Sequence, residues 1–185
     1  QLLTEANPHV TAATISRRQF LRGDLYAEHA ALRPPWALPE ARFVEACTRC
    51  GECVRACPAS MLRHTRSGFP DIAFSHGECT FCAACRAACN AGALARAADG
   101  VAPWTLKAEI GPGCLAQHGV LCAVCRERCA AEAITLQRAP ARVPAPQIGI
   151  AACTGCGACV APCPAGAIRI RALEPDVVVR EARCT

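Results

Sequence analysis

Cysteines are the residues of this chain best placed to do chemistry, because sixteen of its 17 fall into four short runs. In chain order the runs are CTRCGECVRACP, CTFCAACRAACN, CLAQHGVLCAVCRERCA and CTGCGACVAPCP. Their cysteines are Cys47, Cys50, Cys53 and Cys57 in run 1; Cys79, Cys82, Cys85 and Cys89 in run 2; Cys114, Cys122, Cys125 and Cys129 in run 3; and Cys153, Cys156, Cys159 and Cys163 in run 4. Three runs share the spacing C-x2-C-x2-C-x3-C, and in run 3 the first gap is stretched to seven residues. The chain is therefore a fourfold repeat of one small cysteine-bearing unit.

The spacing is typical of a loop that wraps a cubane iron–sulfur cluster. Three thiolates placed every third residue reach three iron corners, and the fourth cysteine points away to ligate the neighbouring cluster of a two-cluster ferredoxin. We expect that fourth cysteine on a short departing helix, which Pro58 or Pro164 ends. The predicted ligand sets are Cys47, Cys50 and Cys53 with Cys89; Cys79, Cys82 and Cys85 with Cys57; Cys114, Cys122 and Cys125 with Cys163; and Cys153, Cys156 and Cys159 with Cys129. The expected cofactors are four [4Fe–4S] clusters.

Other uses of cysteine fit the runs less well. Structural zinc needs two C-x2-C pairs and has no use for the third cysteine in every run. A disulfide framework within the runs would need strained short loops.

Run 3 leaves two alternatives open. Either the loop between Cys114 and Cys122 bulges outward and both cysteines bind, or Cys114 does not bind and the chain holds three clusters. His118 is a substitute ligand in principle, although a loop histidine usually faces solvent. Outside the runs, Cys184 is interpreted as an exposed tail thiol, because no acid–base partner is placed beside it.

The residues between the cysteines allow two interpretations. Gly51, Gly155 and Gly157 are expected to let backbone N–H groups approach cluster sulfurs or to serve the turns, and both roles can hold together. Five arginines lie inside the runs, where they either offset cluster charge or decorate exposed faces. They are Arg49, Arg55, Arg86, Arg126 and Arg128.

The large apolar residues are too few for a self-sufficient core. The hydrophobic content of 52% includes 39 alanines and 17 cysteines, whereas Leu, Ile, Val and Phe together number 37 of 185 residues. A chain with so little apolar surface needs a cross-linking element. Residues 133–136 and 167–170 are predicted to be short strands. We therefore expect an α+β fold of small helices and strands packed over metal that takes the place of a core.

Charge and motifs exclude several functions. The formal net charge of +5 becomes about −3 once sixteen thiolates and four oxidised clusters are counted, and no aromatic platform accompanies it, so we expect no nucleic-acid partner. The longest uncharged stretch, residues 143–168, holds four prolines and four cysteines, so no membrane span is expected. Without a nucleotide-binding glycine pattern, a carboxylate pair or a nucleophile–histidine pair, we expect an electron-transfer or accessory protein and not an enzyme.

The chain resembles the NapF-type ferredoxins, the iron–sulfur accessory proteins of periplasmic nitrate reductase. The resemblance lies in SRRQFLRG at 16–23, in RPPW at 33–36 just ahead of run 1, in the stretched run 3, and in the closing run 4. It implies a cytoplasmic protein that binds the catalytic molybdenum subunit of nitrate reductase before export. It also implies help in that subunit's maturation, by assembling or reducing its own cluster. The alternative is a four-cluster electron-transfer subunit that stays bound to a molybdenum oxidoreductase.

The N-terminal arm matches the twin-arginine export motif but lacks the segment that should follow it. An export signal needs an uncharged apolar stretch of 7 to 15 residues, whereas Asp24, Glu28 and Arg33 interrupt every such stretch here. An amphipathic helix capped by Ser16 and Gln19 is the purely structural alternative. We therefore predict cytoplasmic retention and a partner-binding arm. Its predicted contact residues are Arg17, Arg18, Phe20 and Leu21.

The predicted organisation has four segments. A helical or extended arm is followed by two tandem bacterial-type ferredoxin modules, each a pseudo-symmetric two-cluster unit, and by a short tail. The expected boundaries are 1–38, 39–100, 101–176 and 177–185.

Overall fold

The computed structural model describes residues 32–95, 103–138, 140 and 142–172. Every element named below belongs to the unit that begins at residue 33. The helices are α1 Glu40–Ala46, α2 Glu52–Arg55, α3 Ala84–Ala87 and α4 Val124–Glu127, with a 3-10 helix at Leu115–His118. The strands are β1 Leu62–His64, β2 Pro70–Ile72, β3 Leu106–Ile110, β4 Ile134–Gln137, β5 Ala145–Ile148 and β6 Ile168–Ala172. Helices and strands are thus both present and short, as expected for α+β.

The strand pairs within the described ranges are antiparallel, and each half of this unit contains an inner and an outer pairing. The inner hairpins are β1–β2, between runs 1 and 2, and β4–β5, between runs 3 and 4. In the second half (residues 103–172) β3 pairs with β6, from Leu106↔Ala172 to Ile110↔Ile168. In the first half (residues 33–95) a single bridge, Ala37↔Leu94, joins the corresponding ends. Both predicted strands are found, each beginning one residue later than expected.

Helices α2, α3 and α4 have four residues each, too few to persist without tertiary support. They carry the third cysteine of their runs, and α2 ends at Arg55, two residues before Cys57. Helices α3 and α4 likewise end two residues before the fourth cysteine of their runs. The expectation that a helix carries the fourth cysteine is therefore wrong for runs 1, 2 and 3. It is wrong for run 4 as well, where residues 158–162 form turns and no helix is present. The absence of a helix from run 4 agrees with Pro162, since a residue that precedes proline is disfavoured in the helical region.

The RPPW segment packs the first half together. Pro34 and Phe43 are fully buried, and the Arg33 guanidinium lies over the Phe43 ring at 4.8 Å and the Phe69 ring at 5.1 Å. Arg33 also pairs with Glu40 at 2.6 Å, and this hydrogen bond raises the pKa of Arg33 and lowers that of Glu40. The segment thus closes one side of a small aromatic core.

Cysteine side chains are part of the buried core of the second half. The buried cluster there consists of Ala108, Cys125, Ala133, Ile134, Cys153, Cys159 and Ile168. Only two of these seven residues are large aliphatics, so burial of apolar surface is a modest source of stability in this half.

The helices in the described ranges are all too short or too polar to cross a membrane.

Gly157 lies where the two halves pack against each other, and its substitution tests how close that packing is. Its φ is +83°, and a Cβ there would lie 1.9 Å from Phe74 Cδ1, whereas Gly92 has a similar φ of +71° and no atom within 4 Å of such a Cβ. Gly157→Ala should therefore lower the free energy of unfolding by about 1–3 kcal/mol more than Gly92→Ala, because overpacking adds to the shared backbone strain. Thermal unfolding of the two variants measures the difference. Equal losses would contradict the packing of Phe74 on this loop.

Candidate metal centres

Four cavities in the described part of the chain are each lined by four cysteines. Site 1 contains Cys47, Cys50, Cys53 and Cys89; site 2 contains Cys57, Cys79, Cys82 and Cys85; site 3 contains Cys114, Cys122, Cys125 and Cys163; and site 4 contains Cys129, Cys153, Cys156 and Cys159. Sites 1 to 3 each surround about 360 Å³ of space outside protein atoms, part of it open to solvent, and site 4 surrounds about 330 Å³. In every site three cysteines come from one run and the fourth from the run beside it. The grouping agrees with the predicted ligand sets, and ligation of iron by these sets stays a prediction.

The loops of runs 1, 2 and 4 share one backbone conformation around their second cysteine. The two residues that flank it are left-handed in each case, with φ between 55° and 83°. These residues are Arg49 and Gly51, Phe81 and Ala83, and Gly155 and Gly157. A left-handed non-glycine residue costs about 1–2 kcal/mol, so the strain recurs where three loops curl around a cavity. Such strain persists only where the surroundings impose it.

Run 3 departs from this conformation because of its stretched gap. Ala123, which follows Cys122, has φ −126°, and the 3-10 helix fills part of the gap. His118 at its end is exposed, and its Nε2 lies 2.8 Å from the Pro112 carbonyl oxygen. Cys114, and not His118, lines site 3. The geometry therefore favours the alternative in which the loop bulges and Cys114 stays at the site.

The glycines of run 4 serve close packing between elements. A Cβ at Gly155 would lie 2.1 Å from the Leu106 carbonyl oxygen, and one at Gly157 would overlap the Phe74 ring. Both positions therefore need glycine for contacts with neighbouring protein, in addition to their left-handed φ. Of the two interpretations of these glycines, the structure supports turn and packing chemistry.

The cysteine thiols fall into two electrostatic classes. Burial raises the pKa of Cys53, Cys79 and Cys85 to about 11 and that of Cys159 to about 12. The exposed Cys50 behaves oppositely: hydrogen bonds from the Glu52 backbone N–H and the Thr48 side chain lower its pKa. Cys82 has its pKa lowered in the same way, by the Ala84 N–H and Thr80. Deprotonating the buried thiols requires a compensating positive charge, which metal supplies.

The arginines of the runs pair mainly with rings and carboxylates. Arg49 lies 4.3 Å from the Phe69 ring centroid and Arg86 lies 5.1 Å from that of Trp36. Arg55 pairs with Glu52 at 2.5 Å, and Arg128 with Glu78 at 3.8 Å. Arg126 is exposed. Of these five side chains, Arg49 and Arg86 border a cysteine-containing cavity. For Arg55, Arg126 and Arg128, the interpretation as residues of exposed faces therefore fits better than the offsetting of cluster charge.

The donor set fits a polynuclear iron–sulfur group better than a single metal ion. The sixteen cysteines of the described ranges are all free of disulfides. Within those ranges no three His, Cys, Asp or Glu side chains converge as they would on one ion. Four sulfurs spread around one cavity are what a cubane cluster requires, whereas zinc would need them at a common centre.

Five residues singled out in the sequence lie outside the described ranges: Arg17, Arg18, Phe20, Leu21 and Cys184. The structure also adds to one site two residues that the sequence did not place there. Pro35 and Trp36 of RPPW line site 2. The cysteine spacing carries no signal for them; only their position just ahead of run 1 sets them apart.

Comparison with known protein families agrees with the cysteine geometry. A family described as "4Fe-4S dicluster domain" matches residues 46–93, and one described as "4Fe-4S binding domain" matches residues 146–169. Run 3 lies between the two matched ranges. Fold, cavities and matches together define an iron–sulfur protein of the ferredoxin type, with two tandem 4Fe-4S ferredoxin domains.

Individual relatives narrow this class further. The chain is 37% identical over 177 residues to the ferredoxin-type protein NapF of Haemophilus influenzae, covering 90% of this chain and 99% of the relative. It is also 37% identical to NapF of Escherichia coli K12 over 158 residues, 83% of this chain and 92% of that one. The methylamine utilization ferredoxin-type protein MauM of Methylorubrum extorquens is 38% identical over 171 residues, with coverage of 82% and 76%. The chain belongs to the NapF family of ferredoxin-type proteins.

Substitution of Cys129 tests whether neighbouring runs exchange their fourth cysteines, since Cys129 belongs to run 3 in the sequence but lines site 4. Cys129→Ala should remove about one cluster of four, or roughly four of sixteen irons. Adding Cys156→Ala should then cause no further loss, whereas adding Cys125→Ala should remove a second cluster. Iron and acid-labile sulfide analysis of the three variants measures this. Further loss with Cys156→Ala but none with Cys125→Ala would show that each run binds its own cluster.

The two thiol classes predict a pH-dependent labelling pattern in the metal-free chain. The thiolate is the reactive form, so at about pH 8 iodoacetamide should modify Cys50 and Cys82 first. Cys53 and Cys85, with pKa values of about 11, should lag and catch up as the pH rises toward those values. Peptide mass spectrometry of a labelling time course provides the rates. Uniform labelling of all four at the lower pH would contradict the described burial.

Proposed function

We propose that the protein holds four [4Fe–4S] clusters, one in each cysteine-lined cavity. The ligands are the sets of sites 1 to 4, with Cys114 among them. Each cluster supplies a one-electron carrier whose potential depends on hydrogen bonds to its sulfurs and on exposure. Two such bonds are donated by the Ala108 N–H to Cys153 Sγ at 3.5 Å and by the Ala167 N–H to Cys163 Sγ at 3.4 Å. Residues 39–100 and 101–176 are proposed as the two modules, since an inner hairpin recurs within each of them.

The proposed function is that of a cytoplasmic accessory protein of periplasmic nitrate reductase. The protein binds the catalytic molybdenum subunit before its export and assists its maturation, by assembling or reducing that subunit's cluster. The observation that carries this proposal is the relation to NapF, which extends over 90% of this chain and 99% of the relative.

The arm, residues 1–38, is proposed to contact the partner through Arg17, Arg18, Phe20 and Leu21. Its twin-arginine motif is complete while the apolar segment of an export signal is interrupted by charges. A tail of residues 177–185 follows the second module. The protein therefore stays in the cytoplasm while its partner is prepared for export.

Capture of the nitrate reductase precursor tests this function. Tagged full-length protein, purified anaerobically, should retain the unexported catalytic subunit from cells in which export is blocked. Arg17→Ala/Arg18→Ala should lower the retained amount about tenfold or more, because paired arginines at an interface are frequent hot spots. The variant Arg66→Ala/Arg126→Ala removes the same charge from exposed positions and should bind normally.

Two outcomes would overturn the proposal. Undiminished capture by the arm variant would remove the arm from the interface. Stoichiometric retention of mature enzyme, with none of the precursor, would identify a permanent electron-transfer subunit in place of a maturation factor.

A further inference from the structure

The loops of runs 2 and 4 lie against each other across the two halves of the molecule. The Cys79 backbone N–H donates to the Cys156 carbonyl oxygen at 2.8 Å. Cys79 lines site 2 and Cys156 lines site 4. One backbone hydrogen bond therefore joins a cysteine of one site directly to a cysteine of the other.

Aromatic packing reinforces this junction. The Trp104 indole N–H donates to the Thr154 carbonyl oxygen in run 4 at 2.8 Å. The same indole packs edge-on against Phe81 of run 2, with ring centroids 5.5 Å apart, and against Phe74 at 6.2 Å. Phe74 in turn fills the space above Gly157. Aromatic residues and loop positions from both halves thus surround the contact.

An ion pair borders the same junction. Arg128 Nη2 lies 3.8 Å from Glu78 Oε2. Glu78 precedes Cys79 of site 2 and Arg128 precedes Cys129 of site 4, so oppositely charged neighbours of the two sites meet. At this distance and exposure the pair adds little stability, but its position agrees with the backbone and aromatic contacts.

In the described ranges, runs 1 and 3 form no backbone hydrogen bond with the other half. Their backbone hydrogen bonds outside helices and strands stay local, such as Cys47 N–H to Phe43 O at 2.9 Å and Cys114 N–H to Gly111 O at 3.2 Å. Within each half, a short segment links the two sites. Cys53 of site 1 and Cys57 of site 2 lie four residues apart, as do Cys125 of site 3 and Cys129 of site 4.

We propose that the two halves exchange electrons between sites 2 and 4, which places the four sites in the order 1, 2, 4, 3. This inference rests on the four-cluster content proposed above. Clusters held by these cysteines would supply one-electron chemistry, in which an external one-electron reductant would provide the electron and no bond would break and no proton would move. The path from Cys79 Sγ to Cys156 Sγ runs through covalent bonds and one hydrogen bond. Trp104 acts as a positioning residue that holds the two loops together.

Four matched variants test the order, each lacking the second cysteine of one run. In this order, loss of site 2 isolates site 1, and loss of site 4 isolates site 3, whereas loss of either end leaves a continuous set of three. Dithionite-reduced Cys82→Ala and Cys156→Ala should therefore show about one third of their remaining spins as an uncoupled EPR signal. Cys50→Ala and Cys122→Ala should show coupled spins only.

The contrary pattern identifies another junction. Isolated spins in Cys50→Ala or Cys122→Ala would place site 1 or site 3 between the halves and overturn the order. Iron analysis separates this failure from that of the cluster assignment: each variant should retain about three quarters of its iron. A wild-type iron content of three clusters, or an unchanged content in a variant, would overturn the proposed ligand sets instead.

Hydrogen exchange provides a second measurement that needs no cluster removed. In the complete protein, the Cys79 amide should exchange slowly because its acceptor lies in the other half. Trp104→Leu should accelerate that exchange about tenfold, whereas the Ala73 amide, bonded to Met61 O at 2.7 Å within the first half, should be unaffected. Unprotected exchange at Cys79 in the unaltered protein would overturn the junction even if a cysteine variant failed to fold.

Discussion

Each cavity takes its fourth cysteine from the neighbouring run, and the rest of the structure depends on this exchange. A helix of four residues does not persist alone, and α2 places Cys53 at one cavity and Cys57, just beyond its end, at another. The same holds for α4 between Cys125 and Cys129. The strands are as short as the helices, so neither kind of element has much intrinsic stability. The connection between neighbouring runs thus lies in cavities that two runs line together, and not in long helices or strands.

A core made partly of thiols couples folding to protonation. Burial holds the pKa of Cys85 near 11 and that of Cys159 near 12, so both are protonated at neutral pH unless a cation is present. These raised values favour the folded metal-free chain below the ordinary cysteine pKa, and the advantage is lost as the pH rises through the folded-state values. Loading with metal reverses the preference, because ligands bind as thiolates. The same side chains therefore stabilise two forms of the protein at different protonation states.

The cysteine grouping is predictable from the sequence because spacing within a loop is local information. Three cysteines three residues apart fix a loop, and in two-cluster ferredoxins with this spacing the fourth cysteine ligates the other cluster. The helix of run 4 is wrongly predicted because the effect of Pro162 on the residue before it outweighs the likeness to run 1. The contact of Cys79 with Cys156, and the place of Trp104 between the halves, are not encoded in any spacing. They depend on how surfaces far apart in the chain pack, which no pattern within a run contains.

The outer strand pairing also sets an order for biosynthesis. The bridge Ala37↔Leu94 needs only residues that have left the ribosome early, so the first half can close while the second is still being made. Strand β3 must wait for β6, since Leu106 has its partner at Ala172, and until then one edge of it stays unpaired. Domains generally fold in the order of their synthesis, and late, long-range pairing is slow. A nascent chain stalled after run 3 would thus present a finished first half beside an open strand edge, where chaperones or the machinery that delivers iron and sulfide have the longest access.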